Sequence, residues 1–456
     1  MAKRTLGMGN AAKAKKQKTL ESKQDSVDLE APSQPTPPKD SNQLTVELPE
    51  EVDADDEISQ LKGLYKTYID SERDSDLILN GIIHECDRLL RNSQADSKEP
   101  LAAIFYKIYA IALSESANFH TDAPKKVSEF FDAAIERIED GLEKFPRDID
   151  LLFTKSKILV NRIALEKISQ LTLESRIEDE GVSQVKRDLD EALQIYEDAE
   201  LRAQELGEFA AFNSEEYWDI LEAVDDLLDI VDNFGKDDEQ RLEDDDDDDE
   251  EEAEAEEAEK AVEEELNVED AEKAAAEEEE GEDEEDEDVE LAESHPLYAI
   301  KNTDEYNQWW RDHTTRYLAN LLKTASPSPS LRRQLNARLG QSFLQEAEIP
   351  SSVYTTLKFD EDYQGIEELE GLNVDEAKDI AQDLISKALQ HLKEAEDKDE
   401  PESWVAIAEA MISLGNLHDV DSKEQESLYE EAEKLLNKAN NATNGKYQDA
   451  LENLIG

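Results

Sequence analysis

Cysteine occurs once in this chain of 456 residues, at Cys86, which excludes an intramolecular disulfide and suits a reducing compartment such as cytosol or nucleus. Bases are scarce: 48 Lys and Arg stand against 118 Asp and Glu, for a formal net charge of −70. Such a balance argues against nonspecific binding to DNA, RNA or anionic lipid, whose affinity comes from neutralising phosphates. No apolar run approaches the ~20 residues that a membrane span requires. The opening MAKRTLGMGN has no apolar core of a secretory signal. Hydrophobic residues make up 38% of the chain, below the usual share, as expected of a folded protein diluted by charged segments. Few stretches alternate with period two, so strands are not expected. A soluble intracellular protein of two or three domains, monomeric, is the resulting expectation.

What is present is unevenly distributed. Residues 237–290 hold 35 acids against Arg241, Lys260 and Lys273. Residues 1–51 carry few aliphatics and include the proline-rich APSQPTPPKD, which we read as a disordered arm. Beyond it, apolar residues recur at steps of three and four. Ile58, Leu61, Leu64, Tyr65 and Tyr68 form one stripe, and Leu79, Ile82, Ile83, Cys86 and Leu90 another. Leu101, Ile104, Phe105, Ile108 and Ala112 continue the pattern, as do Val127, Phe131, Ala134 and Ile138. It resumes after the acidic tract with Trp309, Trp310, Tyr317, Leu318 and Leu321, then Leu331, Leu335, Leu339 and Phe343. A period near 3.6 marks amphipathic helices.

Within these helices a small residue, a large one four later and a small one three after that recur together. Ala134, Ile138 and Gly141 fit, as do Ala192, Tyr196 and Ala199; Ala388, Leu392 and Ala395; and Ala432, Leu436 and Ala439. Small residues of this kind let paired helices approach closely, the second-helix signature of tetratricopeptide-type repeats. No strict 34-residue period survives. The fold expected is therefore all-α, a degenerate TPR/HEAT-like helical-repeat superhelix with a disordered N-terminal arm and a long acidic insertion. Its parts are the arm (1–51), a first helical region (52–235), the acidic tract (236–294) and a second helical region (295–456).

Catalytic templates fail in turn. The GxG of Gly7 and Gly9 has no preceding strand and no third glycine. No phosphate-loop lysine motif occurs. His84-Glu85-Cys86 lacks HExxH spacing and a second cysteine, and six scattered histidines give no zinc pattern. Asp360, Asp362 and Gly365 begin like a calcium loop, but Gly371 stands where the bidentate Glu belongs. Cys86 falls on an apolar stripe, as a core thiol does. Neither an enzyme nor a cofactor is expected.

Three features invite partners. Lys3, Arg4, Lys13, Lys15, Lys16 and Lys18 form a basic pair, a spacer and a lysine cluster without an acid among them. That arrangement resembles a bipartite nuclear import signal for an acidic receptor groove; nucleic-acid contact and a plain solvated tail are the other readings. The acidic tract reads either as a lure for histone or ribosomal-protein tails or as a solubilising insertion. The window 301–340 is net positive, with Arg311 and Arg316 beside Trp309 and Trp310. It docks an acidic partner, or the tract itself, unless it is an ordinary mixed-charge surface.

The blocks ISQLKGLYKTYIDSERDSDLILNGIIHECDRLLR, DLLDIVDNFG and WVAIAEAMISLGNLHD, with the opening MAKRTLGMG and the closing GKYQDALENLIG, resemble the fungal enhancer-of-translation-termination family. That family includes the nuclear negative regulator of a prolyl-hydroxylase-type 2-oxoglutarate oxygenase. The resemblance implies a nuclear, non-enzymatic helical adaptor that supports accurate termination and regulates hypoxic gene expression. Its implied partners are such an oxygenase, a nuclear import receptor and ribosome-associated factors. Asn80, His84, Glu85, Asp87 and Arg88 match the family block, as helix-packing and capping positions or as a partner face. The alternative from another class is an acidic chaperone of histones or ribosomal proteins.

Overall fold

Ala103–Ser116 is apolar around nearly its whole circumference, and a helix of that kind has to be enclosed by others. In the computed structural model every residue of it from Phe105 onward is buried. The structure describes residues 56–71, 73–95, 101–178, 185–236, 291–360 and 363–455. The N-terminal arm, with Lys3, Arg4, Lys13, Lys15, Lys16 and Lys18, and residues 237–290 of the acidic tract lie outside them.

The helices are α1 (Glu57–Asp70), α2 (Asp76–Ala95), α3 (Ala103–Ser116), α4 (Pro124–Lys144), α5 (Ile149–Arg162), α6 (Val185–Leu206) and α7 (Glu215–Asp232). After the tract come α8 (Glu305–Leu321), α9 (Pro329–Glu346), α10 (Glu348–Phe359), α11 (Val374–Ala395), α12 (Pro401–Asn416), α13 (Lys423–Ala442) and α14 (Gln448–Ile455). Among the described residues there is no strand, only an isolated bridge between Leu369 and Leu372. The fold is all-α. It divides into two units, Met1–Tyr196 with Asp226–Thr303, and Glu197–Asp225 with Asp304–Gly456, so that each holds part of α6 and part of α7.

In the first unit α3 is the centre, packed by α2, α4 and α5. Leu61 and Tyr68 of α1, Leu79, Ile82 and Cys86 of α2, and Phe131, Ala134 and Ile138 of α4 build its core. The close approach of α4 depends on Gly141, where an added Cβ would lie 2.7 Å from Tyr106 Cβ and 3.2 Å from Leu151 Cδ1. Local signals fix the ends. Pro124 opens α4, and the Asp148 carboxylate caps α5 by accepting from the Leu151 N–H at 3.1 Å. At its C-terminus α5 widens into a π-helical turn, Ile163–Lys167.

The same unit gathers both ends of the acidic tract. Phe234, just before it, and His295, just after it, have ring centroids 5.3 Å apart. His295 is buried, its Nε2 3.1 Å from the Thr172 carbonyl, while the Ile177 N–H donates to the Ser294 carbonyl at 2.9 Å.

In the second unit α9 pairs with α11, and α12 with α13. Gly340 is the contact point of the first pair: a Cβ there would stand 2.6 Å from Leu392 Cγ. At Gly415 it would meet the Tyr429 ring at 2.5 Å. Asn373 and Glu376 start α11 with a reciprocal capping box. Aromatic rings pack against α8 from α7 and from the turn before it, with Trp218 6.5 Å from Trp310 and Phe212 5.2 Å from Tyr317, centroid to centroid. All four small-large-small triplets predicted from sequence are buried. Helical hairpins seated on small residues are the repeating element of both units.

Candidate partner-binding surfaces

The family block on α2 divides by helical phase. Leu79, Ile82 and Cys86 face the core, which turns Asn80 and His84 outward. Asn80 is exposed and spends its amide on Asp76, donating to the backbone carbonyl and to Oδ1, each at 3.0 Å. His84 is exposed. Glu85 and Arg88 form a two-pronged pair, with Nε to Oε2 at 2.8 Å and Nη2 to Oε1 at 2.6 Å. Arg88 also reaches Glu57 of α1 at 2.9 Å, so it fastens α1 to α2. Asp87 accepts a hydrogen bond from the Tyr109 hydroxyl of α3. Burial and that carboxylate hold the Tyr109 phenol well above its ordinary range. Asp87 and Arg88 thus join α2 to its neighbours, Glu85 braces Arg88 within α2, and Asn80 and His84 make the outward face.

Trp309 and Trp310 are neighbours pointing in different directions. Trp310 belongs to the core, 2% exposed, with its Nε1–H donated to the Leu221 carbonyl at 2.8 Å. Its placement on a partner surface is corrected: the indole completes the stripe of Tyr306, Tyr317 and Leu321. Trp309 is half-buried, donates to Glu197 Oε1 at 2.8 Å and stacks on His313 at 4.2 Å. Arg311 is also internal, its guanidinium 3.1 Å from Glu346 Oε2. Arg316 is exposed and sits 3.5 Å from Glu200 Oε2, an oxygen that lies 2.9 Å from His313 Nδ1.

The other arginines of the positive window have acids beside them as well. Beyond Arg311 and Arg316, Arg332 pairs with Glu394, Arg333 with Asp397 at 2.9 Å, and Arg338 with Asp225 at 3.8 Å. The five arginines of the window are therefore met by acids from elsewhere in the second unit, with Arg316, Arg332 and Arg333 still partly exposed. Their charge stitches the second unit together.

A polar cluster that sequence reading missed lies at the π-helical turn. Glu166 is buried; it accepts from Arg162 Nε at 2.6 Å, Ser128 Oγ at 2.9 Å and Lys167 Nζ at 3.0 Å, and Arg162 continues to Asp132 at 2.8 Å. Burial alone would raise the Glu166 carboxyl, but the hydrogen bonds from Arg162, Lys167 and Ser128 overcome it and leave its pKa below the ordinary value. The cluster ties α4 to α5. No sequence signal marks it, because the π turn that aims Glu166 has no residue signature here.

The one thiol is inaccessible. Cys86 has no exposed surface, and burial, with Glu85 and Asp87 nearby, pushes it far above the ordinary thiol range. A thiolate nucleophile is disfavoured at that position. Among the described residues no group of three or more His, Cys, Asp or Glu is arranged to hold a metal ion, and no helix is long and apolar enough to cross a membrane.

Comparison with known proteins gives a coherent result. The model of the family described as nuclear pore complex subunit Nro1 matches residues 1–268 and 261–455. A protein of Lodderomyces elongisporus called enhancer of translation termination 1 is 61% identical over 493 residues, covering all of both chains. One of the same name from Candida albicans (strain WO-1) is 55% identical over 458 residues, again with full coverage of both. Among solved structures, that of the S. pombe nuclear import adaptor Nro1 aligns at 15% identity with a TM-score of 0.49, covering 87% of this chain and 98% of that one.

Proposed function

The chain belongs to the Nro1 family, and from that premise we propose that it is a non-enzymatic nuclear adaptor that supports translation termination by binding another protein. The observation that carries this reading is identity of 61% along the full length of a relative named for enhancing termination. Neither that name nor the family description is that of an enzyme. Stacked helical hairpins supply broad surface for a protein ligand rather than an enclosed reaction chamber. The basic residues Lys3, Arg4, Lys13, Lys15, Lys16 and Lys18 engage an import receptor. The exposed parts of α2 (Asn80 and His84) and of α8 (Arg316, with the half-buried Trp309 beside it) are the places to look for the partner. In this reading the partner is a prolyl-hydroxylase-type 2-oxoglutarate oxygenase, through which the adaptor also reaches hypoxic gene expression. The acidic surface contributes selectivity.

Affinity purification from full-length protein and from a chain lacking 237–290, alongside a stop-codon readthrough reporter, tests the proposal. The same oxygenase or ribosome-linked partner on both, with normal readthrough in both strains, is the expected result. Loss of basic partners on deletion, with no other partner recovered, would replace the adaptor with an acidic chaperone of histones or ribosomal proteins. That second reading is favoured by the 35 acids of the tract.

A further inference from the structure

Two Ser-Pro pairs stand back to back between α8 and α9, Ser326-Pro327 and Ser328-Pro329, followed within four residues by Arg332 and Arg333. The segment 322–328 runs in turns, bends and irregular backbone. Proline has no N–H and holds φ near −65°, and it biases the residue before it towards extended backbone. A kinase that threads an extended substrate and tolerates no donor after the acceptor serine reads this chemistry. The two serines are not equivalent. Ser328 caps α9: its Oγ accepts from the Leu331 N–H at 3.3 Å, and its own N–H donates to Asn213 Oδ1 at 2.7 Å. Ser326 is exposed, and its backbone carbonyl accepts from Asn213 Nδ2 at 3.3 Å. Pro327 and Pro329 line a groove of about 400 Å³ together with Leu322, Arg332, Arg333, Glu394 and Glu396.

We propose that Ser326 is a phosphate-acceptor site for a proline-directed serine/threonine kinase, and that the added phosphate is held by Arg332 and Arg333 across this groove. In the transfer, Ser326 Oγ attacks the γ-phosphorus of ATP and its proton passes to the kinase's base. The new O–P bond replaces the bond to the bridging oxygen, and ADP leaves. The phosphoserine brings close to two negative charges and three acceptor oxygens. Both guanidiniums are partly exposed, 44% for Arg332 and 42% for Arg333, and each now faces a single carboxylate, Glu394 or Asp397. Exposed pairs of that kind are held weakly, whereas a phosphate offers each arginine a two-pronged partner. The modification therefore exchanges the ties from α9 to Glu394 and Asp397, at and just beyond the end of α11, for ties to the α8–α9 connection.

The experiment treats folded full-length protein with ATP and a purified proline-directed kinase, and maps phosphate by mass spectrometry. Phosphate on Ser326 is expected, lost in Ser326→Ala and gained several-fold faster in Asn213→Ala, where the connection is unpinned. Phosphate confined to Thr36, which also precedes a proline, or to Ser328 would overturn the assignment. So would incorporation seen only after denaturation. Phosphorus NMR of the modified protein reads the second half. The second ionisation of the phosphoserine, near pH 6 when free, is expected to move down and to return towards 6 in Arg332→Gln and in Arg333→Gln. A titration that neither substitution alters would overturn capture by the arginines.

Discussion

Gly340 and Gly81 both lie inside helices, and one added methyl group acts on them in opposite directions. At Gly340 a Cβ would press on Leu392 Cγ at 2.6 Å and on the Ala388 carbonyl oxygen at 3.3 Å, and the backbone oxygen cannot step aside. Gly340→Ala is expected to cost about 1–3 kcal/mol, the usual range for overpacking. At Gly81 the nearest atom, Leu64 Cδ2, is 4.0 Å away, an ordinary contact. Gly81→Ala should stabilise by about 0.4–1 kcal/mol, by removing backbone freedom from the unfolded chain. Urea unfolding of both variants checks the pair: the midpoint falls for the first and rises for the second, with unchanged slope. Cys86 gives a second residue-scale expectation. Buried and held protonated, it should react with iodoacetamide orders of magnitude more slowly in folded than in urea-unfolded protein. Prompt labelling of the folded chain would reopen the case for a reactive thiol.

Among the elements, the π turn after α5 carries the sharpest expectation. Glu166 has a folded pKa below its ordinary 4.5, so it binds fewer protons in the folded state than in the unfolded. Its stabilising contribution is complete above the ordinary value and disappears as pH falls through the lower, folded one. Glu166→Gln should therefore lower stability by about 1–3 kcal/mol at pH 7 and flatten the loss between pH 4.5 and the acid limit. Unfolding free energies from pH 3 to 7 measure both. Elements also show what could be read in advance. The triplets around Ile138, Tyr196, Leu392 and Leu436 announced tight helix pairs, because a small residue beneath a large one leaves a local pattern. Nothing local announced that α9 would skip α10 and pair with α11. The net charge of 301–340 hides its pairing for the same reason: a window counts only its own charges. Glu200, Asp225, Glu394 and Asp397, which meet its arginines, lie far along the chain. Trp309 and Trp310 look alike in a sequence, as adjacent indoles do. A helix turns them about 100° apart, and one alone can join Tyr306 and Tyr317.

At the scale of the whole molecule, the insertion 237–290 holds 35 of the 118 acids, and the residues flanking it, Phe234 and His295, meet. Removing 237–290 should leave the thermal midpoint within about 2 °C of the full chain, a change of at most about 1–2 kcal/mol for a protein of this size. Scanning calorimetry of the two chains tests this, and a large fall would show that the insertion supports the fold. How the tract is bounded could not be read from composition, since an acidic stretch between two helical regions looks the same whether it separates or loops. The contact of Phe234 with His295 decides it. An insertion that leaves and returns at one spot is a parenthesis in the chain. Codons for Asp and Glu can be gained or lost inside it, generation after generation, and the sentence on either side still parses.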